Sequence, residues 1–333
     1  EIHERLVGSE MCIRDRGREC SLRFFSAIGY IYLKNQEGNN MSFAVVTDTS
    51  ANIPNRHIEE NDITVVPFSY YVDGVESTCL DTDAFNGDEY YERIKKGVRV
   101  TTSQVTPQRY IDYFTPILQA GRDILFVSMS SGISGSCASA GIAAAQLREE
   151  FPQRAIKIID TLGASLGEGL IALRGARCRA EGVSLEKTTE ILAAACRRMA
   201  QIFTVDDLMH LRRGGRLSNL SAIVGTVLNI KPLLKGNEDG KIVAFAKVRG
   251  RKHAIEALAE KYEMLVKEPE RQTVGIAQAG CRADAEYLER LLRRSRPPMD
   301  ILTVQYEPVT GAHVGPGALA LFFESDENVR SHG

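Results

Sequence analysis

What this chain lacks narrows its role before any motif is read. No apolar run approaches the roughly 20 residues that a bilayer-spanning helix requires. Stretches such as Leu22–Leu33 fall well short of that length, so neither a transmembrane segment nor stable membrane insertion is expected. Net charge is also small, −2 at pH 7 with a pI near 6.4, and no global positive field argues for nucleic acid. Paired cysteines are missing as well. The seven cysteines (Cys12, Cys20, Cys79, Cys137, Cys178, Cys196 and Cys281) are odd in number and contain no C-x-x-C. That pattern fits reduced thiols packed as small hydrophobes in a cytoplasmic protein. Cysteine and histidine never fall at ligand spacing, which argues against a zinc site.

The familiar enzyme signatures are absent in turn. No G-x-G-x-x-G follows the first strand, and neither H-E-x-x-H nor an EF-hand loop occurs. Gly132-Ile133-Ser134-Gly135-Ser136 lacks the last glycine of a nucleophile elbow. Gly236–Lys241 is one residue short of a phosphate loop and falls in a hairpin turn. No cofactor is expected.

What is present reads as an ordinary globular chain of 333 residues, 44% hydrophobic and 25% charged, long enough for two domains. Residues 1–40 do not match the rest. Glu1–Arg16 has no period and resembles a translated sequencing adapter. The apolar run that follows lacks the cleavage site of a secretory signal. We read residues 1–40 as a non-native or disordered leader and Met41 as the natural start.

From there, short apolar strands alternate with helical patterns. Strands are expected at Phe43–Thr47, Ile63–Val72 (bent at Pro67), Ile124–Ser128 and Ile156–Ile159. Helices are expected at Glu89–Lys96, Pro107–Ala120, Ser136–Phe151, Ala164–Ala180 and Leu185–Ala200. This grammar gives an α/β domain over 41–200 whose sheet is mostly parallel and flanked by helices. After a boundary near Met199–Thr204 the grammar changes. A hairpin turning through Gly236–Gly240 is expected, with helices at His253–Val266 and Ala283–Arg293. Strands follow at Thr273–Gln278, Ile301–Tyr306 and Leu319–Phe323, and Glu324–Gly333 reads as a frayed tail. The second α/β domain, 201–325, is smaller and has antiparallel pairing.

Four segments look built for a small anion. Thr101-Thr102-Ser103-Gln104 offers hydroxyls and an amide, and Ser130–Ser136 puts four serines and two glycines between a buried strand and a helix start. Ligands of open α/β sheets bind at that edge, where free backbone N–H groups favour negative charge. Gly311–Gly317 surrounds His313 with glycine and proline. That histidine reads either as a solvated bystander or as a presented imidazole. Arg212-Arg213-Gly214-Gly215-Arg216, with Lys247, Arg249, Arg251 and Lys252, is either solvated surface or a docking patch for acidic groups.

Together these segments resemble the DegV family of fatty-acid-binding proteins, the acyl-presenting FakB-type subunits of bacterial fatty acid kinase. The resemblance runs from about Phe43 to Phe323. It is carried by VTDTS at 46–50, TSQ at 102–104, SSGISGS at 130–136, ASLGEGL at 164–170, RGGRLS at 213–218, KVRGRK at 247–252 and GAHVGPG at 311–317. It implies two α/β domains with a long-chain fatty acid between them, the acyl tail in an apolar tunnel and the carboxylate buried. Thr102, Ser103, Ser131, Ser134 and His313 would bind that carboxylate, and Arg213 and Arg216 would face a fatty acid kinase catalytic subunit. The chain itself would be a lipid-binding subunit without a catalytic site. A buried carboxylate needs several hydrogen bonds, and hydroxyls can supply them without a fixed counter-charge. Two departures stand out. Val105 replaces the usual proline, implying a less rigid loop, and Cys137-Ala138 replaces bulkier residues, implying a roomier pocket. The competing readings are a serine hydrolase using Ser134 with His313, which lacks a recognisable triad acid, and an interaction protein whose lipid is a structural plug.

Overall fold

Phe43–Asp48 (β1) is buried at every position, as a strand covered on both faces must be. The computed structural model describes residues 43–218, 229–326 and 329–330. The chain divides into Glu1–Met41 and Ser42–Gly333, so the leader assigned to residues 1–40 and the start at Met41 lie outside the described residues. After β1 come α1 (Asn55–Glu60), β2 (Ile63–Val66), β3 (Ser69–Val72), β4 (Val75–Thr78), α2 (Gly87–Lys95) and β5 (Val100–Ser103). Then follow α3 (Pro107–Gln119), β6 (Asp123–Ser128), α4 (Ser136–Glu150), β7 (Ile156–Asp160), α5 (Leu166–Ala180) and α6 (Leu185–Arg198). Strands β2-β1-β6-β7 form a wholly parallel four-stranded sheet, as the alternating pattern requires.

Pro67 ends a strand where a bend was expected. It has no N–H for the ladder, so the chain leaves the parallel sheet after Val66. It then enters a separate three-stranded antiparallel sheet of order β4-β3-β5. That sheet was not legible in the sequence. Val75–Thr78 is short and largely exposed, and Val100–Ser103 carries no apolar alternation. Pairing with β3 makes them strands.

The second sheet takes β8 (Met199–Thr204), β9 (Ile230–Gly236), β10 (Ile242–Arg249), β11 (Thr273–Gln278), β12 (Asp300–Gln305) and β13 (Leu319–Glu324) in the order β10-β9-β8-β13-β11-β12. Its neighbours pair antiparallel except β11 with β12. The expected hairpin is β9–β10. Met199–Thr204, near which the boundary was read, is an interior strand of this sheet flanked by β9 and β13. Helices α7 (Met209–Arg213), α8 (Arg251–Leu265), α9 (Arg282–Ser295) and α10 (Pro308–Val314) complete the α-helices among the described residues. Among the described residues, no helix is long and apolar enough to cross a membrane.

Three apolar clusters hold these layers. One packs α3 and α4 on the parallel sheet, with Tyr110 and Phe126 edge to face at 5.0 Å. Another packs α8 and α9 on the six-stranded sheet, around Tyr262, Leu288 and Phe323. The third joins both sheets through α5, from Phe43 and Leu125 across Leu166 to Ala277 and Phe322. The tail is not wholly frayed. Arg330 is buried, and its guanidinium donates to the carbonyls of Cys196, Leu162 and Thr161 at 3.0, 2.7 and 3.4 Å. Residues 331–333 lie outside the described ones.

Candidate ligand-binding site

The carboxyl edge of the parallel sheet, the strand β5 and the helix α10 converge on one cavity. Its empty volume is about 820 Å³, part of it open to solvent, a size at which small-molecule sites occur. Most of its wall is apolar, including Phe68, Met129, Leu162, Phe203, Ile242 and Phe322. Its polar lining comes from Thr102, Ser103, Gln104, Ser134, Arg216 and His313, among others. Thr102 and His313, 211 positions apart, meet there with Thr102 Oγ1 and His313 Nε2 at 2.9 Å. Which atom donates follows from the imidazole tautomer.

His313 sits on a helix, not on the loop its glycines suggested. Pro308 occupies the first helical position, and Glu307 caps the helix by accepting from the N–H groups of Val309 and Thr310, each at 2.6 Å. Outside contacts fix its start. Tyr90 donates to the Pro308 carbonyl and Tyr91 to the Tyr306 carbonyl, both at 2.7 Å, and the Glu307 N–H donates to Asn52 Oδ1 at 3.0 Å. Burial pushes the Glu307 carboxyl up to about 7, against the lowering effect of its hydrogen bonds to Thr310 and Val309. Burial first and the Arg216 cation second push His313 down to about 4, so the imidazole is neutral at pH 7.

Ser134 lines the cavity from the Ser/Gly segment, and its hydroxyl donates to Ser136 Oγ at 3.0 Å. Ser136 Oγ also accepts from the Val105 N–H at 3.1 Å. A proline at 105 has no such proton, so the departure at Val105 supplies a tie where a looser loop was expected. Ser131 does not reach the cavity. It is exposed, and its hydroxyl and N–H donate to Asp160 at 2.5 and 3.2 Å. Cys137 and Ala138 are not among the lining residues either, so the widening expected there does not arise at this cavity.

The arginines separate. Arg213 is exposed at the end of α7. Arg216, expected to face outward with it, lines the cavity and donates through Nε to the Ile133 carbonyl at 3.2 Å. The glycines between them let the loop close on the histidine, for a Cβ at Gly214 would overlap His313 Nδ1. Arg251, counted in a basic patch, pairs with Asp284 at 2.8 Å and with Asp206 at 3.7 Å. The hydrolase reading gains no support from the geometry. Ser134 bonds to Ser136 and His313 to Thr102, and the charge that perturbs the imidazole is a cation, not a triad carboxylate.

Sequence reasoning missed three groups. Glu307-Pro308 is a helix start, but glutamate is an uncommon cap and the following glycines masked it. Thr310, one turn before His313, lines the cavity. Asp48 and Glu168 form a buried carboxyl pair bridged by Ser50, whose Oγ lies 2.5 and 2.6 Å from their oxygens. Their positions within VTDTS and ASLGEGL were visible, but their meeting across 120 residues was not.

The family described as uncharacterised protein, DegV family, matches residues 42–326. A DegV domain-containing protein of Clostridium perfringens is 34% identical over 284 residues, covering 85% of this chain and 98% of that one. A fatty-acid-binding DegV family protein of Thermus thermophilus superposes with a TM-score of 0.77 at 28% identity, over 85% of this chain and 99% of that one. Another, from Streptococcus agalactiae, gives 0.75 at 30% identity, over 86% and 99%.

Proposed function

Because the chain belongs to the DegV family, we propose that it binds a long-chain fatty acid in this cavity and presents the carboxylate to a separate kinase, which converts it to an acyl phosphate. The observation that carries this reading is the pairing of Thr102 with His313 in a cavity whose wall is otherwise largely apolar. A carboxylate only accepts hydrogen bonds, with about four lone-pair sites. Thr102, Ser103, Ser134 and a neutral His313 can donate to it, and the Arg216 cation in the wall favours its charged form. The apolar wall suits an acyl chain, each buried methylene contributing about 0.8 kcal/mol. The Thermus and Streptococcus agalactiae proteins, described as fatty-acid-binding, support the same ligand class. Exposed Arg213 is the group we assign to kinase docking.

Each hydrogen bond to a charged group contributes roughly 1.5–3 kcal/mol. Thr102→Val and His313→Ala should therefore each weaken oleate binding about ten- to a hundredfold, measured by calorimetric titration. Binding of methyl oleate should change little, because the ester lacks the charge. Unchanged oleate affinity in both variants would sink the site. Arg213→Ala should leave oleate affinity intact and slow acyl phosphate formation with the kinase.

A further inference from the structure

A bound acyl chain needs a way through the protein, and one contact between the two larger sheets is built to part. The β9–β10 turn (236–241) belongs to the six-stranded sheet, and Ser130–Gly132 follows β6 of the parallel sheet. They touch over the cavity, which Gly236, Gly240 and Ile242 line on one side and Met129, Ile133 and Ser134 on the other. Wholly buried Ser130 donates through its hydroxyl to the Gly240 carbonyl at 2.8 Å, and its Oγ accepts from the Gly132 N–H at 3.1 Å. Around that bond the two backbones meet without side chains. A Cβ at Gly132 would overlap the Asp239 carbonyl, and Gly240 has φ +69 with Leu162 Cα 3.1 Å from where its Cβ would stand.

The turn is also a self-contained unit. Asn237 Oδ1 accepts from the N–H groups of Asp239 and Lys241 at 3.1 and 2.8 Å. The Gly240 N–H donates to the Asn237 carbonyl at 3.0 Å, and the Asn237 N–H to the Lys241 carbonyl at 2.9 Å. Glu238, Asp239 and Lys241 face solvent while Gly240 is buried beneath them. The turn can therefore lift as one piece, breaking the Ser130 bond and keeping its own. The strands around it cannot part so cheaply, since β9 is laddered to both β8 and β10.

We propose that the 236–241 turn is the door through which the acyl chain enters and leaves, with Ser130–Gly240 as its latch. This rests on the fatty-acid reading above and adds the route. A latch residue lies on the path and not at the carboxylate, so loosening it should change rates more than affinity.

The test measures association and release of oleate by stopped flow, with displacement of a fluorescent fatty acid as the signal. Ser130→Ala should speed both rates roughly tenfold, the equivalent of one buried hydrogen bond, and shift Kd by less than about threefold. Gly132→Ala should do the same by pushing the turn away. Gly141→Ala, on α4 where a Cβ meets open space, should leave both rates unchanged. Unaltered rates in folded Ser130→Ala and Gly132→Ala would overturn the door. So would faster release with unchanged association, which marks a ligand contact. Hydrogen exchange on the unaltered protein decides the matter without any variant. The amide of Gly132, bonded to the latch hydroxyl beneath the turn, should exchange far faster than those of β8, and equal protection would overturn the proposal. If oleate does not bind at all, the fatty-acid reading fails while the exchange result still judges the mobility of the turn.

Discussion

Ser50 has one hydroxyl proton and two carboxyl oxygens within hydrogen-bond reach, Asp48 Oδ1 at 2.5 Å and Glu168 Oε2 at 2.6 Å. One of the two acids must therefore keep a proton. Thr47 Oγ1, 2.9 Å from both the Val127 carbonyl and Glu168 Oε1, faces the same shortage. A protonated Glu168 relieves one of the two: its proton goes either to Ser50, which then donates onward to Asp48, or to Thr47, which then donates onward to the Val127 carbonyl. Burial and the charge of Asp48 push Glu168 well above the usual carboxyl range, in the same direction. Glu168→Gln should thus stay within about 1 kcal/mol of the native protein at neutral pH, whereas Glu168→Ala should cost on the order of 2–4 kcal/mol by orphaning buried hydroxyls. The pH sign follows. A group whose folded pKa is raised contributes its stability below the unfolded value, near 4.5 for glutamate, and loses it as pH rises through the folded value. Urea titrations between pH 5 and pH 8 should show the native protein losing stability relative to Glu168→Gln.

Among the elements, the tail and α10 carry the lesson that polar or glycine-rich stretches are not loops by composition alone. Arg330 anchors to carbonyls from the β7–α5 connection and the end of α6. Burial first pushes its guanidinium down to about 10, which still leaves it charged at neutral pH. Arg330→Ala would strip buried carbonyls of their donors and should destabilise by on the order of 2–4 kcal/mol in urea unfolding. Arg330→Lys should recover only part of that, since a single ammonium cannot span three carbonyls held by a planar fork. The segment before the hairpin shows the opposite case. Pro67 was legible only as a bend, and its consequence, a strand end and a change of sheet, depends on partners that β4 and β5 provide.

For the whole molecule, the decisive feature is the cluster that runs from Phe43 and Leu125 through Leu166 to Ala277 and Phe322. With one apolar core shared by both larger sheets, neither sheet can melt without exposing the other. Scanning calorimetry should show a single transition whose van't Hoff and calorimetric enthalpies agree. Two separated transitions would mean that α5 does not couple the sheets. Oleate should raise that one midpoint, because a ligand bound only to the folded state at a hundred times its Kd adds about 2.7 kcal/mol. The double variant Thr102→Val with His313→Ala should shift far less at the same concentration.

The sequence by itself determined the alternating parallel sheet, the β9–β10 hairpin, most helix positions and the DegV resemblance, because each rests on local period, turn chemistry or ordered motifs. It also singled out Thr102, Ser134 and His313 as polar groups in loops and at element ends. Only the tertiary structure decided that Thr102 meets His313, that Arg216 turns into the cavity while Arg213 stays out, and that Ser131 bonds to Asp160 instead. The physical reason is the same in each case. Facing direction and partnership across 29 to 211 residues are set by how layers pack, and a hydroxyl or guanidinium carries no mark in the sequence of which neighbour packing will bring it.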